Sequence, residues 1–98
     1  MTIDKHVSSK VDNTTALKNI FSEIHKDVDK ADSRLELTEL YNQAGYLITL
    51  ANDFWKFVND IDDIRSAAKD EFGRTACKIN SRAETIGTQG NYDEIWAG

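Results

Sequence analysis

Apolar residues recur along the middle of the chain in steps of three and four. Leu37, Leu40, Ala44, Leu47, Ala51, Phe54, Val58, Ile61, Ala68 and Phe72 form one series, interrupted only by Arg65. That period predicts an α-helix packed against other helices. Tyr41, Ile48 and Trp55 flank the stripe on one side, and Leu50, Phe57 and Ile64 on the other. Around Leu47 to Ile61 the helix is then apolar over more than half its circumference. One neighbouring helix cannot cover such a surface, so two neighbours are expected.

A narrower stripe precedes it. Leu17, Phe21, Ile24, Val28 and Ala31, with Ile20 beside them, predict an amphipathic helix over 14–31. Asn13, Thr14 and Thr15 are residue types that cap free helix amides. Residues 1–12 are polar and aperiodic, as in a flexible arm. Ser33 and Glu36 have capping-box spacing, in which the hydroxyl accepts from the third amide and the carboxylate reaches back. They favour a break and a hairpin at Asp32-Ser33 over one continuous helix, although Leu35 also extends the first stripe.

The end of the second helix is open. Asn59, Asp60, Asp62 and Asp63 suit either a turn that starts a third helix or the wet side of a helix running on to Phe72. The apolar register crosses them unshifted, which favours continuity, with Gly73 as terminator. Ala76, Ile79, Ala83 and Ile86 mark a further helix over 74–86, stopped by Gly87. Residues 87–90 read as a flexible linker. Asn91 and Glu94 repeat the capping spacing ahead of Ile95 and Trp96, so the tail allows one short helical turn. The expected organisation is an arm over 1–12, a helical domain over 13–86, and a linker and tail over 87–98.

Composition narrows the function classes. The chain has 98 residues, no proline and a formal net charge of -5. Without proline, long helices meet no obligatory break. The acidic balance argues against direct nucleic-acid binding, which needs clustered Lys and Arg. Between 34 and 72 the acids Glu36, Glu39, Asp53, Asp60, Asp62, Asp63, Asp70 and Glu71 face only Arg34, Lys56, Arg65 and Lys69. Cys77 is the single cysteine, which suits a reducing compartment. No signal-peptide pattern opens the sequence. Asp53 and Lys56 interrupt the best membrane-span candidate, and a cytoplasmic location without membrane contact is expected.

Few residues suggest chemistry. Phe54, Trp55 and Phe57 form the densest aromatic cluster, suited either to the chain's own core or to an interface hot spot. Tyr92, Ile95 and Trp96 either dock into a partner's groove or fold back on the hairpin. Arg74, Lys78 and Arg82 align every four residues as the one basic stripe, a pattern that more often complements a helix C-terminus than binds a phosphate. Arg74 and Lys78 could also lower the pKa of Cys77. Asp53, Asp60, Asp62, Asp63 and Asp70 present an acidic face, but neither aspartate cluster continues into a calcium-binding loop. His25 and Asp29 stand one turn apart, and two ligands do not make a metal site. No metal, cofactor or catalytic constellation is expected, and hence no enzyme.

In size and hairpin design the chain is similar to secreted helical-hairpin dimers of the WXG type. Asp32-Ser33 stands where those carry Trp-x-Gly, and no acidic residue follows Tyr92 by four, so no function is carried over. The expected fold is all-α: an antiparallel hairpin with a long central helix, completed to a small bundle by a third helix, by dimerisation, or by both. The expected function is non-enzymatic binding and inhibition or regulation of a protein partner, of the antitoxin, immunity or phage-encoded inhibitor type, by a chain that also forms a homodimer. Asp53, Phe54, Trp55, Phe57, Asp60, Ile61, Asp63, Tyr92 and Trp96 are the expected partner-binding residues. Two alternatives stand beside it: an acidic nucleic-acid mimic that blocks a DNA- or RNA-binding enzyme, such as an anti-CRISPR, and a self-assembling or secreted helical-hairpin subunit.

Overall fold

The computed structural model describes residues 13–53 and 61–96. Three helices are present among them: α1 (Asn13–Lys30), α2 (Arg34–Asp53) and α3 (Ile61–Thr85). α1 buries Leu17, Phe21, Ile24 and Val28, the stripe its sequence carries. Between α1 and α2 the capping box forms in a shifted version. The Ser33 hydroxyl accepts from the Glu36 amide at 3.2 Å, while the Glu36 carboxylate takes the amide of Asp32 at 2.9 Å and the Ser33 hydroxyl at 3.3 Å. These bonds satisfy amides that the first turn of a helix leaves open. Leu35 then falls on the outside of α2, 69% exposed, which removes it from the α1 stripe.

α2 buries Leu37, Leu40, Ala44, Ile48 and Ala51, so its core face lies toward the Tyr41–Ile48 flank and leaves Leu47 half-buried. α3 buries Ile64, Ala68, Phe72, Ala76, Ile79 and Ala83 in an unbroken series. Contacts along α3 define how the helices run. His25, Asp29 and Ala31 meet Thr75, Lys78 and Arg82 in that order, so α1 and α3 point the same way. Tyr41 lies against Phe72, while Arg34 at the start of α2 reaches residues beyond the end of α3, so α2 runs opposite.

Two expectations are corrected here. A second helix continuing to Phe72 would set Tyr41 and Phe72 about 46 Å apart at the α-helical rise. Their ring centroids are 5.2 Å apart, so α2 and α3 are separate, adjacent helices. Gly73 does not terminate a helix. It sits inside α3, because the apolar series passes from Phe72 to Ala76, Ile79 and Ala83 without a change of face. Burial of that face outweighs the roughly 1 kcal/mol that glycine costs in a helix interior.

Gly87 does end α3, with φ at +83°. Its amide bonds to the Glu84 carbonyl at 3.1 Å and the Thr88 amide to the Ala83 carbonyl at 2.8 Å, the paired arrangement of a Schellman cap. The tail beyond it runs back along the bundle without a helical turn. The Tyr92 amide donates to the Asn80 side chain at 2.8 Å, which ties the segment to α3.

The two glycines should respond oppositely to a methyl group. A Cβ at Gly73 would meet only the Glu94 carbonyl oxygen, at 3.9 Å, so Gly73→Ala should raise stability by about 0.5–1 kcal/mol in denaturant unfolding. Gly87→Ala should lower it, since an L side chain is strained at that φ.

Candidate interaction surfaces

The residues expected to bind a partner divide three ways. Asp53 is exposed at the last position of α2. Phe54, Trp55, Phe57 and Asp60 lie outside the described residues, and so does Asp62's side chain. Ile61 and Asp63 belong to the first turn of α3, and their side chains are likewise outside the described set. Tyr92 and Trp96 fold back on the chain itself, half-buried against the core.

There they complete an aromatic cluster. The Tyr41 ring stands 5.2 Å from Phe72, 5.0 Å from Tyr92 and 5.4 Å from Trp96, and Phe72 stands 5.7 Å from Trp96. The inclined and edge-on arrangements favour contact between ring edges and faces, at about 0.5–1.5 kcal/mol per pair beyond the area buried. Gly45 makes the cluster possible: the indole of Trp96 lies so close to its α-carbon that a Cβ would overlap the ring. Gly90 serves the same purpose at the other end, where a Cβ would fall 2.6 Å from the Asn80 carbonyl oxygen. Burial raises the pKa of the Tyr41 hydroxyl, with the nearby Asp93 charge adding to it, and that hydroxyl donates to the Asp93 carbonyl at 2.9 Å.

The basic stripe turns inward to α1. Lys78 pairs with Asp29 at 2.7 Å, and this hydrogen bond holds the Asp29 carboxyl below its ordinary pKa. The Arg82 Nε donates to the Ala31 carbonyl at 2.9 Å, with Asp32 3.7 Å from the guanidinium. Arg74 pairs with Glu71 at 2.5 Å. The helix C-terminus that Lys78 and Arg82 complement is that of α1 as well as their own.

His25 takes part in a polar contact inside the α1–α3 interface. Its Nε2 lies 2.7 Å from the hydroxyl of Thr75, which is fully buried and donates in turn to the Glu71 carbonyl at 2.8 Å. The hydroxyl proton is thus committed to Glu71, which assigns the proton to Nε2 of a neutral imidazole. Burial lowers the His25 pKa; Glu71 and Asp29 oppose that shift, and Lys78 and Arg74 reinforce it. With Asp29 engaged by Lys78, the His25–Asp29 pair is tied into the fold.

The expected lowering of the Cys77 pKa is also corrected. The exposed thiol donates to the Glu94 carboxylate at 3.3 Å, and that bond with the carboxylate charge pushes its pKa up, because ionising it would set two anions side by side. Sequence spacing pointed to Arg74 and Lys78, whose charges face Glu71 and Asp29 instead. Among the described residues no group of three or more His, Cys, Asp or Glu side chains is placed to hold a metal. No described helix is long and apolar enough to cross a membrane.

A second surface escaped the sequence reading. Between α1 and α2 lies a shallow groove lined by Ile20, Ile24, Tyr46 and Leu47, with Glu23, Asp27 and Gln43 around it. Ile20, Tyr46 and Leu50 are 44%, 66% and 42% exposed. Tyr46 went unnoticed because it falls off the apolar stripe. An aromatic residue on the nominally polar side of a helix was the available signal.

No family model, no curated protein and no solved structure matches this chain.

Two measurements check the electrostatics. The unfolded chain protonates His25 near pH 6.5 and the folded chain only at lower pH, so the unfolded state binds more protons between those values. Stability should therefore fall as pH drops below about 6.5. His25→Gln should flatten that part of the thermal-melting profile; an unchanged profile would refute the assignment. For Cys77, iodoacetamide at pH 8 should react more slowly than with an unperturbed exposed thiol. Glu94→Gln should speed it several-fold, and equal rates would show that Glu94 does not govern the thiol.

Proposed function

We propose that this protein is a non-enzymatic binder that regulates or inhibits a protein partner by covering part of its surface, and that the α1–α2 hairpin, antiparallel in design, carries the binding face. The observation behind this reading is the exposed apolar face of Ile20, Tyr46, Leu47 and Leu50. Small soluble folds seldom leave a contiguous apolar surface open without using it. A central tyrosine among aliphatic neighbours is a common make-up for an interface centre. Glu23, Asp27, Glu39 and Asp53 give the surrounding surface an acidic bias. The occupant that fits is an amphipathic helix of another protein, laid in the groove with lysines or arginines along its edges.

Binding of this kind has a hydrophobic centre and an electrostatic rim. Salt should slow association and weaken it moderately without abolishing it. A nucleic-acid mimic would instead lose its target at high salt, and a homodimer built on the same face would recover only the chain itself.

Affinity capture with the full chain at low and high salt tests the reading, with Tyr46→Asp and Leu50→Asp run in parallel. Both side chains are exposed, so the variants should keep the helical content of the parent. The expected result is a stoichiometric foreign protein, retained at high salt and lost from both variants, each weakened at least about tenfold, or 1.4 kcal/mol. Capture that survives both substitutions, or recovery of this chain alone, overturns the proposal.

A further inference from the structure

Residues 89–96 lie between α2 and α3, and the helices hold this stretch as a receptor holds a peptide. Arg34 donates to the Gln89 carbonyl at 2.6 Å and to the Asn91 side chain at 3.1 Å, with its guanidinium 5.2 Å from the centre of the Tyr92 ring. The Asn80 carboxamide grips Tyr92 at two points, accepting from its amide at 2.8 Å and donating to its carbonyl at 2.9 Å. The Tyr41 hydroxyl donates to the Asp93 carbonyl. Four backbone groups of a non-helical segment are thus met by side chains of α2 and α3. Such contacts recognise a non-helical backbone whatever its sequence.

Specificity comes from two sockets. The Tyr92 ring packs on Tyr41, and its hydroxyl shares a 2.7 Å hydrogen bond with Thr38. The Trp96 indole fills the notch over Gly45 between Tyr41 and Phe72. Between them Asp93, Glu94 and Ile95 are exposed, Ile95 at 80%. The groove therefore holds aromatic residues four positions apart on a non-helical backbone that bends at Glu94 and Ile95.

The segment is an addition to the bundle and not a part of its core. Among the described residues, no hydrophobic side chain beyond Ala83 is fully buried. It also fits imperfectly. The Trp96 Nε1 is buried without a hydrogen-bond partner among the described residues, an arrangement that works against docking because the donor has lost its water.

We propose that the α2–α3 groove is a peptide-binding site, that residues 89–96 are its ligand in cis, and that its occupant in trans is a non-helical segment of another protein carrying two aromatic side chains four residues apart across a bend. The tethered segment competes at a high effective concentration, so the incoming segment must bind well enough to displace it. An aromatic ring lacking an N–H at the second socket avoids the unpaired donor. This site is separate from the α1–α2 face, and its failure or success leaves that reading untouched.

The test uses the full chain and a fluorescein-labelled synthetic peptide with the sequence of residues 89–96. Trp96→Ala empties the deeper socket while leaving the helical core intact. Fluorescence anisotropy should then show saturable binding to this variant and at least tenfold weaker binding to the parent. A peptide with alanine at both aromatic positions should not bind. Gly45→Ala adds a methyl group whose three nearest neighbours are Trp96 ring atoms, so it closes the notch. It should shift the Trp96 indole N–H resonance to a solvent-exposed position with helical content retained. Combined with Trp96→Ala it should remove peptide binding, as should Asn80→Ala combined with Trp96→Ala. Absence of binding to the Trp96→Ala chain overturns the proposal, and so does equal binding to that chain and the parent. An unmoved Trp96 resonance in Gly45→Ala overturns it as well.

Discussion

The unbroken buried face of α3 is the constraint on which the rest of the molecule is built. Ile64, Ala68, Phe72, Ala76, Ile79 and Ala83 keep one face of a 25-residue helix out of water. α1 packs along it in the same direction and α2 in the opposite one. Alanine at three of those six positions lets the helices approach closely. Phe72 is the largest of the six, and it is the residue around which Tyr41 and Trp96 gather. A cavity at Phe72 would thus loosen α2 and the tail together, at a cost on the order of 3–5 kcal/mol.

Polar contacts set the register that apolar packing leaves loose. An alanine-rich face tolerates sliding, because small side chains interdigitate weakly. His25 on Thr75 and Arg82 on the last carbonyl of the α1 link hold α1 at two heights along α3. Lys78–Asp29 lies between them. Exposed ion pairs contribute only about 0–1 kcal/mol each. Their value here is positional: a one-turn shift would leave the Thr75 hydroxyl buried without His25 and the α1 terminus without its cation. The neutral imidazole follows from the same arrangement, since a proton on Nδ1 would add a charge in a half-buried interface beside two cations.

The bundle leaves two surfaces of different character. The α1–α2 side is open, aliphatic with one tyrosine, and bordered by acids. The α2–α3 side is aromatic, rich in donors to peptide backbone, and filled by the chain's own tail. The first suits a helix, which satisfies its own backbone and offers only side chains. The second suits a non-helical segment, whose free amides and carbonyls need partners. α2 contributes to both through opposite sides, Tyr46 and Leu50 facing one and Tyr41 and Gly45 the other.

Helix type and core membership were legible in the amino-acid sequence because period and capping are local properties. The stripe of α1, the Ser33–Glu36 cap and the Gly87 stop all depend on residues within a turn or two of one another, and each is found where the pattern places it. Gly73 alone suggests a stop, but Phe72 to Ala76 is itself a helical step, and burial of that face outweighs a glycine's flexibility. The separation of α2 from α3 was not legible, since a register that continues unshifted is the same for a straight helix and for two helices that fold back together. Nor was the aromatic groove. Gly45, Asn80 and Arg34 are unremarkable in sequence, and they matter only because packing sets them beside Trp96, Tyr92 and Gln89 across 51, 12 and 55 residues respectively. The pKa of Cys77 shows the same division. Its sequence neighbours Arg74 and Lys78 would have lowered it, and Glu94, 17 residues away, raises it. Period, caps and stops act within a helix and can be read from the chain itself. Contacts between helices depend on which faces meet, and tertiary packing alone decides that.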